Sequence, residues 1–181
     1  MRETGIVRRI DELGRVVIPK EIRKTLRIKE GDPLEIFTDK DELFFKKYSP
    51  LSSISDYGKW VADGIQETTE KICIITDTDT VLYVSNGKHK EIIGKTLSLD
   101  IDTVLKERKS VVSCRADGGK VLPLFRGDDL VFENQIIVPI ITNGDCYGSV
   151  IVVDREKGGC FNNEILKLAR LGATFLSKSF E

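Results

Sequence analysis

The side chains in this sequence with a chemistry to offer are mostly cations, and they crowd one end of the chain. Residues 1–29 hold nine lysines and arginines (Arg2, Arg8, Arg9, Arg15, Lys20, Arg23, Lys24, Arg27, Lys29) against four carboxylates (Glu3, Asp11, Glu12, Glu21). The remainder holds 19 against 25, so the formal net charge of −1 conceals a segment of +5 followed by one of −6. Such an asymmetry points to a polyanionic partner for the first segment and none for the second. Guanidinium groups meet phosphate oxygens with paired donors, and ammonium groups meet them as point charges.

No comparable set supports catalysis. Gly94-Lys95-Thr96 ends like a phosphate-binding loop, but such a loop needs glycine five positions before Gly94, where His89 stands. His89 is the single histidine and lies in the polar run Asn86-Gly87-Lys88-His89-Lys90, which reads as surface rather than as a general base or ligand. Asp117, Asp128, Asp129 and Glu133 fall in loop-like sequence without the spacing of a calcium loop, so solvated carboxylates are expected. Cys73, Cys114, Cys146 and Cys160 are 41, 32 and 14 residues apart, which fits neither zinc-ligand pairs nor a dense disulfide framework. Small core hydrophobes in a reducing compartment are expected. The sequence predicts no enzyme, no metal and no cofactor.

The cations need elements to position them. Gly5 to Ile10 and Arg15 to Ile18 are rich in β-branched residues around the turn Asp11-Glu12-Leu13-Gly14, a hairpin pattern. Pro19 suits the first position of a helix, and Ile22 and Leu26 make its short apolar stripe while Lys20, Arg23, Lys24 and Arg27 point elsewhere. Gly31-Asp32-Pro33 breaks the chain, and Leu34 to Thr38 and Leu43 to Phe45 read as strands around Asp39-Lys40-Asp41. The order is β, β, short α, β, β. Such a unit has too little core to fold alone. Ile6, Val7, Val16, Val17, Ile18, Leu34, Ile36, Leu43, Phe44 and Phe45 make both strand faces apolar, as an intertwined dimer would require.

Thr4 to Phe37, TGIVRRIDELGRVVIPKEIRKTLRIKEGDPLEIF, resembles the N-terminal domain of the AbrB-type transition-state regulators, especially the stage V sporulation protein T branch. The resemblance implies a swapped-hairpin β-barrel dimer that docks basic side chains onto double-stranded DNA. Carried over by position, Arg8, Arg15 and Arg23 coincide with the family's DNA-contacting arginines. Lys24 stands where arginine is common, keeping a phosphate contact but losing bidentate recognition of a base. Arg9 and Arg27 are additional phosphate partners. Arg8 and Arg9 alternate across a strand, so one faces DNA, with Arg8 favoured, and the other serves an intramolecular carboxylate. The break at Gly31-Asp32-Pro33 excludes a helix-turn-helix, which leaves readout partly to DNA shape. The same module serves antitoxins, where a short tail follows it; here the tail is a patterned sequence long enough for a domain.

That second part follows a short linker, residues 49–53. Ile54, Tyr57, Val61 and Ile65 make a helical stripe, with Leu51 a turn earlier and Trp60 on its flank, suited to packing on its own sheet or to helix pairing between subunits. Strands are predicted at Ile72–Thr76, Val81–Val84, Val111–Cys114, Val121–Phe125, Ile136–Ile141 and Ser149–Val153. Helical patterns fall around Lys88 to Ile93, from Ile101 to Arg108, and after a cap at Asn162 or Asn163 through Ile165, Leu168, Ala169, Gly172, Leu176 and Phe180. The segment QIIVPIITNGDCYGSVIVVD leading into that last helix resembles a GAF domain, which implies a small-molecule or protein-contact sensor with an undefined ligand.

The fold expected is therefore α+β: a swapped-hairpin DNA-binding and dimerisation domain at 1–48 and a GAF-like antiparallel sheet flanked by helices at 54–181. A homodimer through the first domain and a homotetramer through the second are expected. No stretch approaches the roughly 18 apolar residues of a membrane span, and Met1-Arg2-Glu3 begins no signal peptide. The setting expected is cytoplasmic and nucleoid-associated, and the resemblance implies the forespore. Two functions stay open: a transcription regulator, activator or repressor of sporulation-stage genes, whose second domain oligomerises and senses a ligand, or an architectural DNA-binding protein whose second domain only oligomerises.

Overall fold

A computed structural model describes residues 4–49, 51, 55–87, 89–127 and 130–179. The chain divides into two compact units, Met1–Tyr48 and Ser49–Glu181. Ile54, Phe180, Lys88, Asp128, Asp129, Pro50, Ser52 and Ser53, which carry parts of the sequence reading, lie outside the described residues.

In the first unit, α1 (Lys20–Leu26) starts after Pro19, which takes the cap position with an extended ψ of 148° rather than the first helical turn. Its carbonyl still accepts from Arg23 N at 2.9 Å. Arg27, in the left-handed region at φ 54°, stops the helix, and Ile28 N closes back on Arg23 O at 2.8 Å. Asp32 then fastens the Gly31-Asp32-Pro33 break, accepting from Lys29 N at 2.8 Å and pairing with Lys47 Nζ at 3.1 Å. Strands β1 (Leu34–Asp39) and β2 (Glu42–Lys47) form a two-stranded antiparallel sheet in the register Ile36↔Phe45.

The first hairpin differs from expectation. Its turn is made, with Gly14 N donating to Asp11 O and Asp11 N to Arg15 O, each at 3.0 Å. Beyond that rung, residues 5–10 and 15–18 form no strand ladder with each other. Pro19 is the one buried residue among those described in this unit. Val7 is 84%, Val17 71% and Ile36 58% exposed. Among the described residues, a single copy gives these segments no strand partner beyond that rung and leaves much of their apolar surface open.

The second unit is a five-stranded antiparallel sheet ordered β4-β3-β7-β6-β5, built from β3 (Ile72–Thr76), β4 (Val81–Val84), β5 (Val111–Cys114), β6 (Asn134–Thr142) and β7 (Asp145–Asp154). β6 and β7 turn at Asn143 and Gly144, both at positive φ. Their near-continuous apolar runs are covered on both faces. One core holds Ile74, Ile101, Leu105, Phe125, Ile137 and Ile151, beneath α3 (Leu99–Glu107). The other holds Ile65, Cys73, Ile75, Ile136, Val150 and Leu176, beneath α2 (Ser55–Thr69) and α4 (Asn163–Lys178). Successive residues such as Cys73, Ile74 and Ile75 thus fall alternately into the two cores, as the pleat requires. Leu51, within the stretch expected to be a linker, is 2% exposed and belongs to the second core.

Gly148 lets β7 approach β3: a Cβ there would fall on the Thr76 carbonyl oxygen. Gly172 similarly lets α4 close on Val61 and Ile65 of α2. Asn162 caps α4, accepting from Ile165 N at 3.1 Å, and Ser98 caps α3, accepting from Ile101 N at 3.2 Å.

Two expectations fail here. Val121–Phe125 is not a strand of the sheet. Only Phe125 bridges, to Leu97, and the run is held instead by the fully buried amide of Gln135, which donates to Leu122 O and accepts from Leu122 N, both at 3.0 Å. Pro123 has no N–H for a ladder, so a side chain supplies the pairing. The cysteines are not all free either: Cys114 and Cys160 form a disulfide, with Cα atoms 5.5 Å apart.

Candidate nucleic-acid interface

Helix α1 gathers the cations. Arg23, Lys24 and, at its cap, Arg27 occupy its last turn and end, where the negative end of the helix dipole favours positive charge. Arg23 and Lys24 are exposed, and Arg27 is half-buried. Glu21 lies in the first turn, at the opposite end.

Arg15 is held by a device that the sequence reading missed. Asp11 Oδ1 accepts from Leu13 N at 3.0 Å and Arg15 N at 2.8 Å, while Oδ2 accepts from Arg15 Nε at 2.8 Å. The Arg15 amide, and after it the Arg15 guanidinium, hold the Asp11 carboxyl below the usual carboxylate range. The pair uses Nε and leaves the two terminal nitrogens of a side chain 69% exposed, so the guanidinium is aimed rather than consumed. The signal was an aspartate opening a glycine turn four residues before an arginine.

Arg8 and Arg9 lie exposed on the extended segment before the turn. Arg8 Nη1 donates to Val7 O at 3.4 Å, and neither arginine pairs with a carboxylate among the described residues. The intramolecular carboxylate expected for one of them goes to Arg15 instead. The structure thus places Arg23, Lys24 and Arg27 on one short helix, Arg15 on the turn, and Arg8 and Arg9 on the strand-like arm.

In the second unit, a groove of about 300 Å³ is lined by Arg115, Val121, Leu122, Pro123, Leu130, Val131 and Phe132. Arg115 Nε donates to Phe132 O at 2.8 Å. The residues that resembled a phosphate loop have packing roles: Lys95 Nζ lies 5.7 Å over the Phe125 ring, and Thr96 bridges to Thr80. His89 is half-buried and pairs through Nδ1 with Glu91 Oε1 at 3.1 Å. Asp117 is exposed, in line with a solvated loop carboxylate, and its carboxylate lies within 4.8 Å of the Cys114 and Cys160 sulfurs. Among the described residues, no helix is long and apolar enough to cross a membrane.

Comparison with known proteins agrees with this division. Residues 53–181 match the family described as stage V sporulation protein T C-terminal, transcription factor. Residues 7–50 match the family described as antidote-toxin recognition MazE, bacterial antitoxin. The stage V sporulation protein T of Bacillus subtilis is 40% identical over 182 residues, covering 100% of this chain and 99% of that protein. The transition state regulatory protein AbrB of the same organism is 45% identical over 74 residues, 41% of this chain and 77% of that protein. The second unit shares its fold with the GAF domain of an Acinetobacter phosphoenolpyruvate-protein phosphotransferase, at 15% identity, a TM-score of 0.57, and coverage of 70% of this chain and 81% of that one. An AbrB-like unit followed by a GAF-like one, matched from end to end, means that this chain belongs to the stage V sporulation protein T family of transcription factors.

Proposed function

We propose that this chain regulates sporulation-stage genes in the cytoplasm by binding double-stranded DNA as a homodimer through residues 1–48. Arg8, Arg15, Arg23 and Lys24 make the principal contacts, and Arg9 and Arg27 add phosphate partners. The observation that carries the reading is the first unit's combination of exposed cations with apolar side chains that one copy leaves uncovered, Val7, Val17 and Ile36 among them. Pairing two copies covers the second set and doubles the first.

Residues 54–181 form the oligomerisation and sensor part. Its outer helical face supports a tetramer: Trp60 is 62% and Leu171 65% exposed, and Tyr57 meets Trp60 and Phe175 edge to face at 5.3 and 5.9 Å. The sensor reading, against the purely architectural one, rests on the groove beside Arg115, which sets one cation among apolar residues.

The test is DNA affinity of the full-length protein across a salt series. Each lost phosphate contact should lower the log–log salt slope by about 0.9 per copy of the contact. Arg15→Ala and Arg23→Ala should therefore weaken binding and flatten the slope. Lys24→Ala should weaken it alike for all sequences. Unchanged slopes in all three variants remove α1 and the turn from the interface.

A further inference from the structure

Two of the four cysteines are chemically quiet. Cys73 on β3 is fully buried, which pushes its thiol far above the usual range. Cys146 on β7 is raised by the same cause. The other two are joined: Cys114 ends the edge strand β5 and is 7% exposed, while Cys160 is exposed in the loop entering α4. That loop has two further fastenings. Asn134 Nδ2 donates to Gly159 O at 2.6 Å, and the Arg155 guanidinium lies 5.4 Å over the Phe132 ring. Asn134 is the register partner of Cys114, Arg115 follows it, and Arg115 and Phe132 line the groove. The disulfide thus ties the groove wall to the loop that begins α4.

We infer that Cys114–Cys160 is a reversible thiol–disulfide site, entered from solvent at Cys160 by a dithiol, and that its state sets how firmly residues 155–161 are held against the groove wall. A thiolate of the dithiol attacks Cys160 Sγ, forming a mixed disulfide and expelling Cys114 as a thiolate that takes a proton from water. The second thiolate of the dithiol attacks its own bonded sulfur and expels Cys160, which is protonated in turn. Two electrons pass to the protein, and the dithiol leaves as a disulfide; an oxidised dithiol reverses each step. Attack falls on Cys160 because the partner residue is buried. The contacts of Asn134 and Arg155 survive reduction, so the unit stays folded while the loop loses its covalent tie.

The experiment equilibrates the full-length protein in dithiothreitol buffers of graded oxidation, then combines thiol trapping by maleimide, peptide mapping and hydrogen exchange. Cys114 and Cys160 should become labelled together in one two-electron transition, with Cys73 unlabelled and the labelling of the half-buried Cys146 the same in every buffer. Amides of residues 155–161 and 115–122 should exchange several-fold faster in the reduced protein, and in Cys160→Ser whatever the buffer. The wild-type exchange comparison stands even where a cysteine variant folds poorly. The inference is overturned if the bond yields only after unfolding in urea, which makes it a permanent staple. It is equally overturned if exchange is the same in both states, or if the reduced protein takes up one zinc ion per chain on Cys114, Asp117 and Cys160 and thereafter resists reoxidation.

Discussion

Asp11 shows how one carboxylate can set up a cation for work elsewhere. It spends both oxygens on the Arg15 backbone and side chain and on the Leu13 amide. Because its folded-state pKa is depressed, the pair is complete above the ordinary carboxylate value of about 3.9 and is lost as pH falls through the lower folded value. In a pH titration by NMR, the Asp11 carboxyl and the Arg15 Nε–H should therefore move together with a midpoint below the ordinary one. A midpoint at or above it removes the device. Asp11→Ala should weaken DNA binding modestly, because one long side chain per subunit must then be ordered on binding, and should leave the salt slope unchanged because no phosphate contact is deleted. That separates aiming from contacting.

At the level of elements, the two critical glycines differ in what they meet. At Gly148 an added Cβ lands on backbone, the Thr76 carbonyl, which cannot move without separating β3 from β7. At Gly172 it meets Val61 Cγ1 at 2.7 Å and Ile65 Cδ1 at 3.2 Å, side chains between two helices that can shift apart. Gly172→Ala should cost about 1–3 kcal/mol, the usual range for overpacking, and Gly148→Ala more, as read by urea denaturation; the reverse order contradicts the account. The β-branched runs at 72–76, 81–84 and 111–114 fall on β3, β4 and β5 because alternating burial writes itself into composition. The helical stripe of α4 was equally plain, with Ala169, Gly172 and Leu176 buried where the period put them. Val121–Phe125 was misleading because its apolar content serves the core while its backbone is paired by Gln135, a partner that no local pattern announces. The first hairpin was legible as a turn but not as a ladder within the chain, since periodicity does not say which copy provides the neighbour. The charge asymmetry that singles out Arg8, Arg15 and Arg23 is plain in the sequence, and the Asp11–Arg15 pair has a local signal in its i, i+4 spacing, whereas the Cys114–Cys160 pair depends on three-dimensional proximity.

For the whole molecule, the disulfide and the missing cover of the first unit act in opposite directions. A tie spanning 46 residues restricts the unfolded second unit by about 4 kcal/mol in the chain-entropy picture. The urea midpoint of the wild type should thus fall on adding reductant, while that of Cys160→Ser should begin low and stay put. The first unit has no such internal staple among its described residues. Its thermal midpoint should rise with protein concentration, as for any fold completed by association; a midpoint constant over a hundredfold dilution argues that one copy suffices.

The near-absence of buried residues between Thr4 and Tyr48 then has a consequence for control. If order in that unit comes from a second copy, the number of molecules in the cell becomes an input to the regulator. Below the dissociation threshold, newly made chains are both unable to grip a promoter and vulnerable to proteolysis. Up to that threshold competent assemblies rise as the square of chain concentration, and above it only in proportion to it. A modest change in expression is sharpened into a switch before any effector is met.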